Sequence, residues 1–152
     1  MVIVKVFTKH SLTIIMCNAV CYVINGKVVI VDFAQVNAML PVIGKNKDQI
    51  IQVPWGRRKK EHGKLPLGGW ASQESINNGK WDKYFPKKVK IPLIKFQESD
   101  FERDNNWFDV TAGQWIQGIF VQENEEKRVY IITLTPERSY STYTRWPVIV
   151  NN

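Results

Sequence analysis

Cys17, which directly follows Met16, is the residue whose chemistry depends most on its position in the chain. If the chain starts or is cut at the Met16–Cys17 bond, Cys17 carries a free α-amine beside its thiol. Such a 1,2-aminothiol captures an aldehyde as an imine and closes it into a five-membered thiazolidine. Because fifteen residues precede Met16, this chemistry requires a later start or cleavage. The alternative is that Cys17 and Cys21 are small apolar residues near a strand, since free cysteine is often buried.

Two clusters of basic side chains form a second candidate site. The chain has 21 Lys and Arg against 14 Asp and Glu, a net charge of +7 that favours polyanionic partners. The clusters flank aromatic residues, and cations that follow phosphates beside stacking rings are typical of single-stranded DNA binding. The alternative is a solvated basic face over an aromatic core. The candidate DNA-binding residues here are Arg57, Arg58, Lys59, Lys60, Trp70, Lys87, Lys88 and Lys90, with Tyr143 and Arg145 as further members.

Cysteine and histidine are too few for a disulfide framework or a zinc site. The two cysteines lie four residues apart, and the two histidines are His10 and His62. We therefore expect no cofactor and no metal. The apolar patches of residues 1–15 are too short and broken for a membrane span or a signal peptide. We interpret this segment as an N-terminal extension or a translated leader, and expect a cytoplasmic monomer without a membrane partner.

The elements that must position these residues are mainly strands. Asn25-Gly26 predicts a tight hairpin between Tyr22–Ile24 and Val28–Val31, because both turn residues must adopt positive φ. A short helix is predicted within Trp70–Gly79. The composition fits one domain of 152 residues. We predict an α+β, mainly β, single domain with a barrel-like antiparallel or mixed sheet and one or two short helices. Further predicted strands are Pro41–Gly44, Gln49–Gly56, Ile91–Phe96, Trp115–Gln122, Arg128–Leu134 and Trp146–Val150.

Several segments in order resemble the SOS-response-associated peptidase family, whose proteins recognise abasic sites in single-stranded DNA. The resemblance extends from Met16 to Val150, so residues 16–152 would form the domain. Each fragment is short, but their order and approximate spacing match the family. The matching segments are Met16-Cys17-Asn18-Ala19, Ala34-Gln35, Leu40-Pro41-Val42-Ile43, Trp55-Gly56-Arg57, Val89-Lys90-Ile91-Pro92 through Phe96-Gln97-Glu98, Ile116–Phe120, Val129–Leu134 and Tyr143–Val150.

The resemblance implies roles for particular residues. The family's nucleophile matches Cys17, and its active-site glutamate matches Glu98. The family's histidine matches Tyr143, and a phenol ring is better suited to stacking than to acid catalysis. The family's asparagine and arginine have no counterpart in the segment that starts at Trp70, and its other arginine is replaced by Ala19.

The leading hypothesis is that the chain binds single-stranded DNA and captures the aldehyde of an abasic site through Cys17. Glu98 would help the ring open and close. One alternative is a catalytically degenerate nucleic-acid-binding module on the same fold. Another is a cysteine autopeptidase acting at the Met16–Cys17 bond, so enzymatic activity stays an open question at this point.

Overall fold

The computed structural model describes residues 18–46, 48–100, 102, 104–136 and 143–151. Cys17 and the predicted extension 1–15 lie outside the described residues. Within these ranges the chain forms twelve strands, one α-helix and one 3-10 turn. The strands are β1 Ala19–Ile24, β2 Lys27–Asp32, β3 Met39–Ile43, β4 Ile50–Pro54, β5 Trp70–Ser72, β6 Lys87–Ile91, β7 Lys95–Ser99, β8 Asn105–Asp109, β9 Gln114–Glu123, β10 Glu126–Leu134, β11 Trp146–Pro147 and β12 Ile149–Asn151; the helix α1 is Gln73–Asn77 and the 3-10 turn is Asp82–Tyr84.

The strands form two larger sheets and one separate hairpin. The first sheet has the order β2-β1-β7-β8, and the hairpin joins β3 to β4. The second has the order β11-β10-β9-β12, with β6 added to β9 and β5 added parallel to β10. The prediction of a mainly β single domain with a mixed sheet and short helices is confirmed. In the described part of the chain, however, no sheet closes into a barrel, because the sheets are joined by side-chain packing instead of continuous strand pairing.

The six-stranded sheet is covered by apolar side chains on both faces. On β10, Val129 and Ile131 belong to the core between the sheets, while Tyr130 and Ile132 belong to a second cluster on the opposite face. Because side chains alternate along a strand, burial on both faces requires a continuous apolar run. This requirement explains the run of apolar residues 129–132 within β10.

Two predicted elements illustrate how the local sequence controls the chain path. Asn25 and Gly26 have φ of 49° and 74°, and the predicted hairpin forms across them. The prediction of one strand over Ile91–Phe96 is wrong. Pro92 has no N–H to donate, β6 ends at Ile91, and the chain crosses to the other sheet before β7 begins at Lys95. This crossing carries Glu98 to the space between the sheets.

Among the described residues, the single α-helix spans five residues, and no helix is both long and apolar enough to cross a membrane.

Candidate functional site

Glu98 is a buried carboxylate that contacts one cation. It lies on β7 opposite Asn106 of β8, and its side chain is 5% exposed. The Arg145 Nε atom is 3.3 Å from Glu98 Oε2, and the Arg145 guanidinium carbon lies 3.5 Å from the centroid of the Trp70 ring. Arg145 therefore bridges a carboxylate and an indole face that are contributed by different sheets.

The surroundings of Glu98 shift its titration. Burial raises the pKa of the Glu98 carboxyl above its ordinary value of 4.5, and the Arg145 guanidinium opposes part of that increase. The hydrogen bond from the Ser99 backbone opposes it further. A carboxyl with a raised pKa retains its proton to higher pH, which is the property that a general acid needs.

A small cavity adjoins the Glu98 carboxylate. Its volume of about 10 Å³ has room for one water-sized group. Its walls include Trp55, Trp70 and Phe96, and its polar members are Asn18, Gln97 and Glu98. The Asn18 Oδ1 and Gln97 Oε1 atoms are buried and accept no hydrogen bond from the described residues. These two oxygens are therefore available to an ammonium or hydroxyl donor.

The predicted nucleophile Cys17 lies outside the described residues, and its predicted proximity to Glu98 stays a prediction. Its covalent neighbour Asn18 lines the same cavity as Glu98. The structure thus brings the residue after Cys17 together with Glu98, Trp70 and the cation of Arg145. These groups come from segments far apart in the sequence.

Tyr143 lies at the outer side of this site within an aromatic cluster. Its ring centroid is 5.2 Å from that of Phe108 and 5.3 Å from that of Trp146. Its hydroxyl is 3.5 Å from the Asn106 Nδ2 atom. The sequence did not indicate Asn106, because its position opposite Glu98 depends on the pairing of β7 with β8, a strand that was not predicted.

The basic cluster 57–60 divides into two different pairs. Arg57 donates to the Leu65 and Glu61 carbonyl oxygens, and Arg58 is 9% exposed at its side chain. The Arg58 guanidinium donates to the Phe33, Trp55 and Gly56 carbonyl oxygens and contacts Glu61 Oε1 at 2.5 Å. We infer from these contacts that Arg57 and Arg58 stabilise the loop between β4 and β5. Lys59 and Lys60 are exposed and accessible to phosphate.

A row of aromatic and cationic groups connects this loop to Glu98. The Arg58 guanidinium carbon lies 4.4 Å from the Phe33 ring centroid, and the Phe33 and Trp70 centroids are 4.9 Å apart. Trp70 in turn contacts Arg145. Lys59 and Lys60 directly follow Arg58, the first member of this packed row. The last member is the Glu98 carboxylate.

The second basic cluster is exposed on the edge strand β6. Lys87, Lys88 and Lys90 are all exposed, and the Lys90 ammonium lies 5.9 Å from the Trp115 ring centroid. Trp115 is half-buried. Trp81, which lies in the sequence between the two basic clusters, is buried in the second apolar cluster and donates to Ser75 Oγ at 3.0 Å.

Comparisons of the chain with protein-family models, with curated proteins and with solved structures find no match. In the described ranges, no three side chains of His, Cys, Asp or Glu gather closely enough to hold a metal ion. The assignment of a function therefore depends on the geometry around Glu98 and on the sequence resemblance.

The raised pKa of Glu98 predicts a specific dependence of stability on pH. Because the folded state holds this proton more tightly than the unfolded state, Glu98 contributes stability below pH 4.5 that is lost as pH rises through the folded-state pKa. We expect Glu98→Gln to remove this component. Urea unfolding of both proteins over a pH series measures it, and a difference in unfolding free energy that does not change with pH would contradict the prediction.

Proposed function

We propose that the chain binds single-stranded DNA and captures the aldehyde of an abasic site through Cys17 once the Cys17 α-amine is exposed. The observation that carries this proposal is the buried Glu98 carboxyl with its raised pKa, in a cavity lined by the residue next to Cys17. The resemblance to the SOS-response-associated peptidase family supplies the reaction class. The geometry supports the proposal with a buried carboxyl that lines one cavity with Asn18.

The proposed reaction condenses one aldehyde with one aminothiol and releases one water. The Cys17 nitrogen adds to the aldehyde carbon, and the resulting hydroxyl leaves as water after Glu98 gives it a proton. The thiol sulfur then adds to the iminium carbon and closes the ring, and its proton returns to Glu98. No oxidant or reductant is required, so the acid and the two Cys17 groups are sufficient.

The surroundings of Glu98 also suit the ligand. Arg145 provides a cation for a phosphate near the site, and the Asn18 and Gln97 oxygens suit hydroxyl or ammonium donors. The exposed Lys59 and Lys60 add positive charge at the Arg58 end of the row that leads through Phe33 and Trp70 to Arg145. Phosphate contacts position a strand without reading its sequence, as capture of any abasic site requires.

One observation favours the second candidate, a DNA-binding module without the covalent step. The cavity beside Glu98 has a volume of about 10 Å³, which is too small for a sugar. Tyr143 also occupies the position that the resemblance assigns to a histidine. Binding and adduct formation must therefore be measured separately.

Binding to single-stranded DNA is expected to weaken steeply with salt. Each phosphate contact contributes a slope of about −0.7 in a plot of log affinity against log salt. Reversing Lys59 and Lys60 together to Glu should flatten that slope by at least ~1.4, since at least two cations are lost. Fluorescence anisotropy with a labelled oligothymidylate measures the effect.

The matched control reverses Lys27 and Lys45, which are exposed at the start of β2 and on the β3–β4 loop. This control has the same change in net charge at positions away from the row described above. Equal slopes in the two double variants would assign the effect to net charge, and would count against a phosphate site at Lys59 and Lys60.

A further inference from the structure

Phe85 combines two unfavourable features at one exposed position. It follows the 3-10 turn with φ of 51° and ψ of 57°, a left-handed conformation that bulky residues rarely adopt. Glycine or asparagine usually occupies this position after a helical turn. The Phe85 side chain is also 84% exposed, the highest value among the exposed large hydrophobic residues of the described chain. Strained residues that folding does not favour are concentrated at binding sites.

Phe85 borders an open groove that contains groups for binding an aromatic ligand. The groove has a volume of about 360 Å³, within the range of roughly 300–1,000 Å³ for small-molecule sites. It offers the rings of Phe85 and Phe120 and the side-chain amides of Gln122 and Asn124. We call it the Phe85 groove; its lining residues are Tyr84, Phe85, Lys87, Phe120, Gln122 and Asn124.

The charges around the Phe85 groove favour an anionic ligand at one end. Lys87 lines the groove, opposite Phe120 on β9, and Lys88 follows it as an exposed side chain. The other end is formed by the β9–β10 turn, where Asn124 lies between Glu123 and Glu125. A ligand with an anion at one end and hydrogen-bond donors at the other fits this arrangement of Lys87 at one end and the β9–β10 turn at the other. A nucleotide, with its phosphate and its base, has that distribution.

We propose that the Phe85 groove binds one unpaired nucleotide of single-stranded DNA. The base stacks on the Phe85 ring, the phosphate contacts Lys87, and the amides of Gln122 and Asn124 bond to the base edge. This inference depends on the proposed function for its ligand and adds a second contact point on the strand. Phe120 lies four residues from Ile116, which lines the cavity beside Glu98, on the same face of β9. The separation is about 13 Å.

The test compares ring-removing and ring-keeping variants of the full chain. Phe85→Asn removes the ring but suits the left-handed backbone, and Phe85→Trp keeps an aromatic face. With a labelled oligothymidylate of about 16 nucleotides, we expect Phe85→Asn to weaken binding about tenfold and Phe85→Trp to change it little. The melting temperature of Phe85→Asn should be equal to or higher than that of the parent, so that weaker binding cannot be assigned to unfolding.

Val28→Asn is the matched control, because Val28 is also an exposed apolar residue, on β2. Affinity that is the same in Phe85→Asn and Val28→Asn would overturn the inference, and so would unchanged binding by Phe85→Asn, as expected if the groove took a protein partner. In both cases the proposed function would stand, provided that the parent chain binds DNA. Failure of the parent to bind any single-stranded DNA would overturn both proposals.

Discussion

A chain that starts at Cys17 is expected to form a denaturant-resistant adduct with single-stranded DNA that carries an abasic site. The full chain of 152 residues should form none, because the Cys17 nitrogen is part of a peptide bond. The expected yield of adduct is thus near completion when the Cys17 α-amine is free and zero when it is part of a peptide bond. Denaturing electrophoresis detects the adduct, and intact mass should show one DNA and one protein joined with the loss of one water.

Variants at the two cysteines separate this chemistry from general thiol reactivity. Cys17→Ala should abolish the adduct while salt-sensitive binding remains, because the phosphate contacts lie on other residues. Cys21→Ala is the matched control and should still react, since Cys21 is buried on β1. Glu98→Gln should slow the reaction without preventing it. If the chain confirmed by mass to start at Cys17 binds the DNA but forms no adduct, the binding-module alternative holds.

Arg58→Ala is expected to destabilise the fold strongly, although the basic sequence of residues 57–60 suggests an exposed surface patch. Its guanidinium is the donor to three backbone carbonyl groups and contacts Glu61, which is 7% exposed at its side chain. Removing the guanidinium takes a donor from these carbonyl oxygens and leaves Arg128, 4.0 Å away, as the remaining cation beside Glu61, so we expect a cost of roughly 3 kcal/mol. Urea unfolding at neutral pH measures the loss.

Lys59→Ala is the matched control, one residue further along the same loop. Lys59 is exposed, so its replacement should change the unfolding free energy by less than about 0.5 kcal/mol. In DNA binding, by contrast, Lys59→Ala should have the larger effect and Arg58→Ala the smaller, when both are measured under conditions in which both variants are folded. Equal stability of the two variants would mean that Arg58 is not the support of this loop.

The sequence predicted best the elements that depend on neighbouring residues. Asn25-Gly26 specifies its hairpin because the turn needs positive φ at both positions. The apolar runs of β9 and β10 predicted strands because burial on both faces leaves few other arrangements. The prediction of one strand over Ile91–Phe96 was wrong because the apolar run continues past Pro92. At that point β6 has ended and the chain passes to the other sheet.

The candidate site was less accessible to sequence reasoning because it depends on long-range pairing. Glu98 was named by resemblance, but its burial and its contact with Arg145 depend on how β7 and β11 are placed. Arg57 and Arg58 resemble Lys59 and Lys60 in charge, and composition cannot distinguish a guanidinium bonded to carbonyl groups from a solvated ammonium. The left-handed backbone of Phe85 was likewise invisible, since local rules favour glycine or asparagine there.

The central position of β10 has a consequence for the synthesis of this protein on the ribosome. β10 pairs with β5, β9 and β11, and Trp55 also bridges to Val129 of β10. Trp55 and β5 are therefore translated long before the strand that completes their environment. Chains are made at about 5–20 residues per second, so these apolar segments wait for seconds. We expect Trp55 and β5 to reach their native pairing only after residue 134 has left the exit tunnel.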